Sequence, residues 1–155
     1  MHRDERVILA DVQAYLALFG TAFLAATIFP AQSELLFAYL LHTGELDWRM
    51  LLAIATVGNV LGSVTNWALG RMIERFRDRR WFPVSGGTLE RAEFWYGRWG
   101  KWSLLLSWAP FIGDALTVAA GVLRTPFLTF LLLVMIAKGA RYGVIVLALA
   151  GLLSI

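Results

Sequence analysis

The chain has 155 residues, enough for one domain, and 59% of them are hydrophobic while 16% are charged. Its mean hydropathy is +0.65, and a typical soluble domain has about 25% charged residues. A soluble fold of this size could not bury so much apolar surface, so we expect an all-α polytopic membrane protein. The lack of cysteine excludes disulfides and thiolate metal sites. With only His2 and His42 as imidazole ligands, neither a metal site nor a cofactor is predicted, and no nucleic-acid partner is expected.

The first apolar segment runs from Val12 to Ser33 without a charge and leads into the stretch "FPAQSE". Pro30 and Ser33 interrupt the segment just before Glu34, and the apolar residues 35–43 that follow are too few to cross a membrane. A hairpin over 12–43 would leave the N-terminus outside the cell. A full crossing over 12–29 would leave it inside, and both arrangements remain open.

The second apolar segment, Met50 to Gly70, is the cleanest predicted span, because it is uncharged and lies between two arginines. It carries a stripe of small and polar residues at helical spacing: Gly58, Asn59, Gly62, Ser63 and Asn66. Gly58 and Gly62 form a G-x-x-x-G pair, which is typical of helix packing in membranes. We interpret the stripe mainly as a packing surface, with substrate contact as the alternative.

A polar insert over 71–101 contains eight basic and four acidic residues. By the positive-inside rule it is predicted to be cytoplasmic, which puts the loop "GELDWR" (44–49) on the opposite side. The insert divides a single domain into a first re-entrant half, about 12–70, and a second re-entrant half, 102–155.

The second half is again broken into short apolar pieces, namely 102–113, 115–123, 125–137 and 142–155. Its break reads "WAPFIGDALTVAAG", with Pro110, Gly113 and Gly121 as helix-disrupting residues and Asp114 as its acid. Such short segments are more typical of re-entrant hairpins than of independent spans.

The two breaks correspond to each other. Pro30 precedes Glu34 by the same number of residues as Pro110 precedes Asp114. Corresponding breaks in two halves indicate a transporter-type inverted repeat. A carboxylate inside the membrane is costly and is held neutral or exchanges a proton, so we predict proton coupling at Glu34 and Asp114. The alternative is that both acids merely cap short helices at the interface.

Three cations follow the second break. If 115–137 is one helix, Arg124 lies near its middle and needs either an anionic ligand or a structural ion pair with Glu34 or Asp114. A guanidinium suits phosphate oxygens, so Arg124 is a candidate head-group ligand. Lys138 and Arg141 could contact phosphate too, or could simply snorkel to the interface.

Three stretches resemble the DedA family of bacterial inner-membrane proteins, also called the SNARE-associated or VTT-domain family, and in particular its short YqaA-like branch. They are "PAQSELL", "GNVLGSVTNWALGR" and "PFIGDALTVAAGVLRTPFLTF". The resemblance implies two opposed re-entrant hairpins packed against transmembrane helices. It places the family's membrane acid at Glu34 and a family arginine at Arg124. Classical members carry an arginine after Pro-Gly in the second motif, where this chain reads "PFIGDA", and their second acid has only Glu45 and Asp47 as counterparts here.

The same resemblance implies a function in moving lipids, such as undecaprenyl phosphate or phospholipids, with a dependence on the proton motive force. We therefore expect a flippase or scramblase of the bacterial inner membrane whose partners are anionic lipids and protons. Homo-oligomerisation is left open. An enzyme acting on lipid phosphates is disfavoured, because the histidines and acids do not cluster in the sequence. A scaffold that does not transport is the third hypothesis.

Overall fold

The computed structural model describes residues 2–26, 32–76, 94, 96–110 and 112–153. Its principal elements are α1 (His2–Ala25), α2 (Gln32–Thr43), α3 (Trp48–Phe76), a 3-10 helix (Gly100–Trp108), α4 (Ile112–Val122) and α5 (Phe127–Leu153). The described residues contain no β-strand, as expected for an all-α protein. Pro30 and most of the predicted insert lie outside the described residues.

Three helices are long and apolar enough to cross a membrane, over Val7–Ala25, Trp48–Met72 and Phe127–Gly151. The middle one contains the predicted span from Met50 to Gly70, and α3 continues beyond it to Phe76. The helices α2 and α4 are shorter, at 12 and 11 residues, and are too short to cross by themselves. The chain is therefore a multi-pass helical membrane protein.

The division of residues 125–155 into two short apolar pieces was wrong. The residues from Phe127 to Leu153 form the single helix α5, and the charged residues Lys138 and Arg141 lie near its middle. The charges interrupt the hydropathy of the sequence without interrupting the helix, because both side chains find carboxylate partners inside the protein.

The hypothesis of one helix over 115–137 was also wrong, because the chain turns between α4 and α5. The amide of Thr125 donates to the carbonyl of Ala120 (2.9 Å) and that of Arg124 to Gly121 (3.1 Å). This pair of bonds is the Schellman ending of a helix, and Arg124 occupies its left-handed position with φ 55°. Pro126 follows and cannot donate an amide to α4. Arg124 is thus an exposed helix-end residue.

Small residues bring α1 and α3 together. A Cβ added to Gly58 would lie 2.7 Å from the carbonyl oxygen of Phe19, and one added to Gly62 would lie 2.6 Å from the Cβ of Ala26. The Asn66 amide donates to the carbonyl oxygen of Ala26 (2.7 Å), at the end of α1. Because successive residues of the two helices meet in the same order, α1 and α3 are parallel.

Two further glycines allow a similarly close approach of α3 and α4. A Cβ on Gly70 would collide with the carbonyl oxygen of Val118, and one on Gly121 with that of Trp67. Gly121 is therefore a helix-packing residue within α4 and not a break. Gly113 is similar, since it lies in the first turn of α4 and a Cβ there would collide with the Ser107 backbone.

The helices α3 and α5 are antiparallel. In its first half α3 contacts Tyr142, through the hydrogen bond from Asn59 Nδ2 to the tyrosine hydroxyl (3.2 Å). Further along, Trp67 contacts the Phe127 ring at a centroid distance of 5.3 Å. As α3 advances, its partner on α5 thus lies progressively closer to the start of α5. This places Lys138 and Arg141 in the interior of the helical bundle.

Candidate functional site

One face of α5 carries the polar residues of the site. Lys138, Arg141 and Tyr142 are spaced i, i+3 and i+4, so their side chains lie on the same side of the helix. Opposite this face lie the first turns of the two short helices, with Glu34 in α2 and Asp114 in α4.

Each acid is paired with one of these cations. Arg141 Nε donates to Glu34 Oε1, and the two side chains are 9% and 31% exposed. Lys138 Nζ lies 3.3 Å from Asp114 Oδ1, with exposures of 2% and 24%. Each pair also lies in the electrostatic field of charges from the other. The four charges sum to zero, which reduces the cost of placing them in a membrane domain.

The backbone supports both acids. Glu34 and Asp114 lie in first turns, where a helix presents unpaired amide groups and the positive end of its macrodipole. Both residues therefore lie at a helix start, which is the position that the capping alternative requires. They do not lie free at an interface, however, because each is also ion-paired to α5.

Arg124 does not join this cluster. It follows the end of α4, whereas Asp114 lies in the first turn, and a rise of 1.5 Å per residue separates them by about 15 Å. Of the two alternatives for Arg124, the ion pair with Glu34 or Asp114 is wrong, because those acids pair with Arg141 and Lys138, and the anionic-ligand alternative stays a prediction. Arg124 lies instead near Trp67, whose indole donates to the adjacent Thr125 carbonyl (3.3 Å).

The snorkelling interpretation of Lys138 and Arg141 was wrong for a similar reason. Snorkelling requires a side chain near a helix end that reaches the head-group region. Here both residues lie mid-helix, and Lys138 is almost completely buried.

A buried hydrogen-bond network adjoins the ion pairs. Tyr142 Oη donates to Ser33 Oγ (3.0 Å) and accepts a bond from Asn59 Nδ2 (3.2 Å). Its ring packs on Phe37 at a centroid distance of 5.1 Å. Ser33, expected at a break, is thus a buried helical residue that positions the start of α2. Sequence reasoning missed Tyr142, although its spacing from Lys138 and Arg141 was a usable signal.

The polar side chains of the α3 stripe make hydrogen bonds within the protein. Asn59 donates to Tyr142, Ser63 to the Asn59 carbonyl (3.1 Å), and Asn66 to the end of α1. These contacts favour the packing interpretation over substrate contact.

A cavity of about 530 Å³ opens beside the Glu34–Arg141 pair. Apart from that pair its lining is mostly apolar: Trp108, Pro110, Ala140, Val144 and Ile145. Pro110 of the second break and Glu34 of the first therefore line one space, which the sequence could only suggest. Neither Lys138 nor Asp114 lines the cavity.

The chemistry available in this cavity is recognition of an anion. Arg141 can offer two parallel N–H donors to a phosphate or carboxylate group, and Glu34 can carry a proton. Among the described residues, no group of three His, Asp or Glu side chains is placed to hold a metal ion.

The chain matches known proteins over most of its length. Residues 12–151 match the model of the VTT domain. The chain is 34% identical over 134 residues to the inner membrane protein YqaA of Escherichia coli, covering 86% of this chain and 89% of the relative. It is 37% identical over 132 residues to an uncharacterised protein of Haemophilus influenzae, with coverages of 81% and 80%.

A more distant relative is undecaprenyl phosphate transporter A of Staphylococcus aureus, 28% identical over 130 residues, with coverages of 77% and 64%. No solved structure matches the chain significantly. The domain match covers most of the three helices that are long and apolar enough to cross a membrane, and the whole charged cluster. The chain therefore belongs to the VTT-domain, or DedA, family of membrane proteins.

Proposed function

We propose that this protein moves a phosphate-bearing lipid across the bacterial inner membrane, with Arg141 as the head-group ligand and Glu34 as the proton-coupling acid. The observation that carries the proposal is their ion pair, which lines a mostly apolar cavity beside a membrane-spanning helix. Placing an ionisable pair inside a membrane domain costs free energy, so ionisable residues at such positions are usually functional.

The proposed step exchanges one anion for another. While Glu34 is ionised it neutralises Arg141, so a phosphate must compete with an adjacent carboxylate. Protonation of Glu34 removes its negative charge, so the phosphate oxygens no longer compete with a carboxylate for the Arg141 guanidinium. The proton and the lipid anion then enter together and the charge of the site is unchanged. The acyl chains stay in the bilayer.

The second pair has a supporting part in this proposal. Asp114 stays a candidate proton-coupling acid, but it is held by Lys138 outside the cavity lining. Lys138 would stabilise a bound anion through its charge and would not contact the lipid directly. Arg124 is a candidate for an initial head-group contact at the other end of α4.

The proposed arrangement in the membrane is two opposed re-entrant hairpins. The first consists of α1 and α2 and opens on the side of residues 44–47. The second consists of the 3-10 helix and α4 and opens on the other side, where α3 ends. Support comes from the cavity that Glu34 and Pro110 share and from the short lengths of α2 and α4. The positive-inside rule puts the insert 71–101 in the cytoplasm.

The test is transport of a fluorescent undecaprenyl phosphate or phosphatidylglycerol in proteoliposomes, measured across a range of pH. Wild type is expected to transport faster when the lipid-loading side is acidic. Glu34→Gln should bind the lipid phosphate at every pH and lose the pH dependence. Arg141→Met should lose transport, whereas the matched variant Arg98→Met, at an exposed position on the 71–101 insert, should keep it.

A double variant separates function from folding. Glu34→Gln with Arg141→Met removes both members of the ion pair together, so neither is left without the other, and the protein should fold and melt near the wild-type temperature. It should nevertheless fail to transport. Wild-type transport by this folded double variant would refute the proposed roles of both residues.

A further inference from the structure

A second, larger cavity runs along the outer surface between α3 and α5, with a volume of about 720 Å³. We call it the α3–α5 groove. Arg49 is its one charged lining residue, and the others are Trp48, Leu52, Ala53, Thr56, Val57, Val60, Leu61, Leu131, Met135 and Gly139. None of these residues lines the Glu34–Arg141 cavity.

The groove is long enough to cross the hydrocarbon region of one leaflet of a bilayer. From Trp48 to Leu61 the helical rise is about 20 Å, and half the hydrocarbon thickness of a membrane is about 15 Å. Both walls are membrane-spanning helices, and Val57, Leu61 and Met135 are 43–51% exposed. The groove therefore borders lipid along its length.

Acidic residues lie next in sequence to the one cation of the groove. The Arg49 guanidinium lies 5.4 Å from the Trp48 ring centroid and makes no ion pair among the described residues. Asp47 Oδ1 accepts the Arg49 backbone amide (2.7 Å) and so caps the start of α3. Asp47 and the neighbouring Glu45 are exposed and acidic.

We propose that the α3–α5 groove binds a phospholipid whose head group contains both a phosphate and a primary ammonium. One acyl chain lies along the apolar lining, the phosphate accepts hydrogen bonds from Arg49, and the ammonium donates to the carboxylates of Asp47 or Glu45. A purely anionic head group satisfies only Arg49 and is repelled by the two acids. A trimethylated ammonium satisfies the charges but cannot donate a hydrogen bond.

A second copy of the chain fits this groove less well. Helix pairing in membranes uses small residues that allow close approach. On α3 the G-x-x-x-G pair, Gly58 and Gly62, already faces α1. The exposed lining contains the bulkier Val57, Leu61 and Met135, which suit a flexible acyl chain.

The experiment is native mass spectrometry of the full-length protein, released from detergent after titration with phosphatidylethanolamine, phosphatidylglycerol or phosphatidylcholine. Wild type should retain one lipid per chain and favour phosphatidylethanolamine over the others by at least threefold. Ala53→Phe, which fills the groove, should lose retention of all three lipids. Ala148→Phe is the matched control, because Ala148 is exposed on α5 outside both cavities and should retain lipid normally.

The head-group assignment has its own variants. Arg49→Ala should weaken binding of all three phosphate-containing lipids. Asp47→Asn keeps the helix cap, because asparagine caps as well as aspartate. Combined with Glu45→Gln, it should abolish the preference for phosphatidylethanolamine over phosphatidylglycerol.

Equal lipid retention by Ala53→Phe and Ala148→Phe would overturn the groove proposal. So would a change from dimer to monomer caused by Ala53→Phe, which would assign the groove to a second copy. These outcomes do not depend on transport, because none of the variants alters Glu34 or Arg141.

Discussion

The buried Lys138 shows how much one residue depends on its partner. Its ammonium is almost inaccessible, and Asp114 at 3.3 Å supplies the compensating charge. The net stabilisation from such a pair is small, since the desolvation cost offsets the Coulombic attraction. Removing only one member of the pair costs much more free energy, because it leaves a buried ion unpaired.

We therefore expect Asp114→Asn to destabilise the protein by about 3–5 kcal/mol. Adding Lys138→Met should recover most of this loss, because it removes the uncompensated charge and refills the space with an apolar side chain. Reversible unfolding in mixed micelles measures both variants. A double variant as unstable as Asp114→Asn alone would show that the pair does not account for the effect.

Arg124 holds a backbone conformation that usually belongs to glycine. At φ 55° a side chain is disfavoured, and Arg124 also ends α4 in a Schellman motif. Comparing two variants that both lack the guanidinium isolates this backbone effect. Arg124→Gly should be more stable than Arg124→Ala by about 1 kcal/mol.

The same two variants test the head-group role of Arg124. If its guanidinium contacts the lipid, transport should fall equally in both, despite their different melting temperatures. Transport that follows stability instead of charge would argue against a head-group role for this residue.

At the scale of elements, close helix contacts depend on glycine. The helices α3 and α4 approach at Gly70 and Gly121 so closely that neither position has room for a Cβ. This contact holds α4, and with it Asp114, against the rest of the bundle. Small-residue contacts of this kind are the usual means of packing helices in lipid, where the hydrophobic effect does not drive association.

Gly121→Ala should therefore separate the two helices and cost about 1–3 kcal/mol through overpacking. Gly143→Ala is the matched control, because Gly143 also lies inside a helix but has no atom within 4 Å of an added Cβ. The control should be neutral or slightly stabilising, since alanine favours helix over glycine. Thermal unfolding compares them, and equal losses in both variants would contradict the proposed close contact.

For the whole molecule, the helix directions predict where the chain ends lie. Because α1 is parallel to α3, the start of α1 belongs on the same side as the 44–47 loop. This favours the hairpin arrangement of residues 12–43, with the N-terminus outside. The charged insert should then be on the opposite, cytoplasmic side.

The absence of native cysteine makes this prediction directly testable by single-cysteine labelling. In intact cells an impermeant maleimide should label Val7→Cys and Glu45→Cys, but not Arg98→Cys. All three positions are exposed on the protein surface, and Val7 is only the first residue of its apolar segment, so differences in labelling report sidedness and not burial within the protein. Labelling of Arg98→Cys alone would invert the assigned topology.

Much of the fold could be predicted from the sequence, because lipid imposes simple rules on helices. The uncharged segment 50–70 had to be a spanning helix, and the G-x-x-x-G pair had to face another helix. The predicted helix boundaries were wrong where they were placed by hydropathy alone. Lys138 and Arg141 were taken to separate two apolar pieces, although a paired charge can lie in mid-helix. The alternative of one helix over 115–137 put Arg124 in mid-helix, although Arg124 ends a helix.

By itself, the sequence determined that this is a helical membrane protein with two acids in corresponding positions after prolines. Composition and local spacing suffice for that, since they reflect the solvent and the nearest turn of backbone. Which cation each acid meets was decided only by the tertiary structure. Glu34 and Arg141 are separated by 107 residues, and such a contact depends on how α2, α4 and α5 pack, which no local pattern encodes.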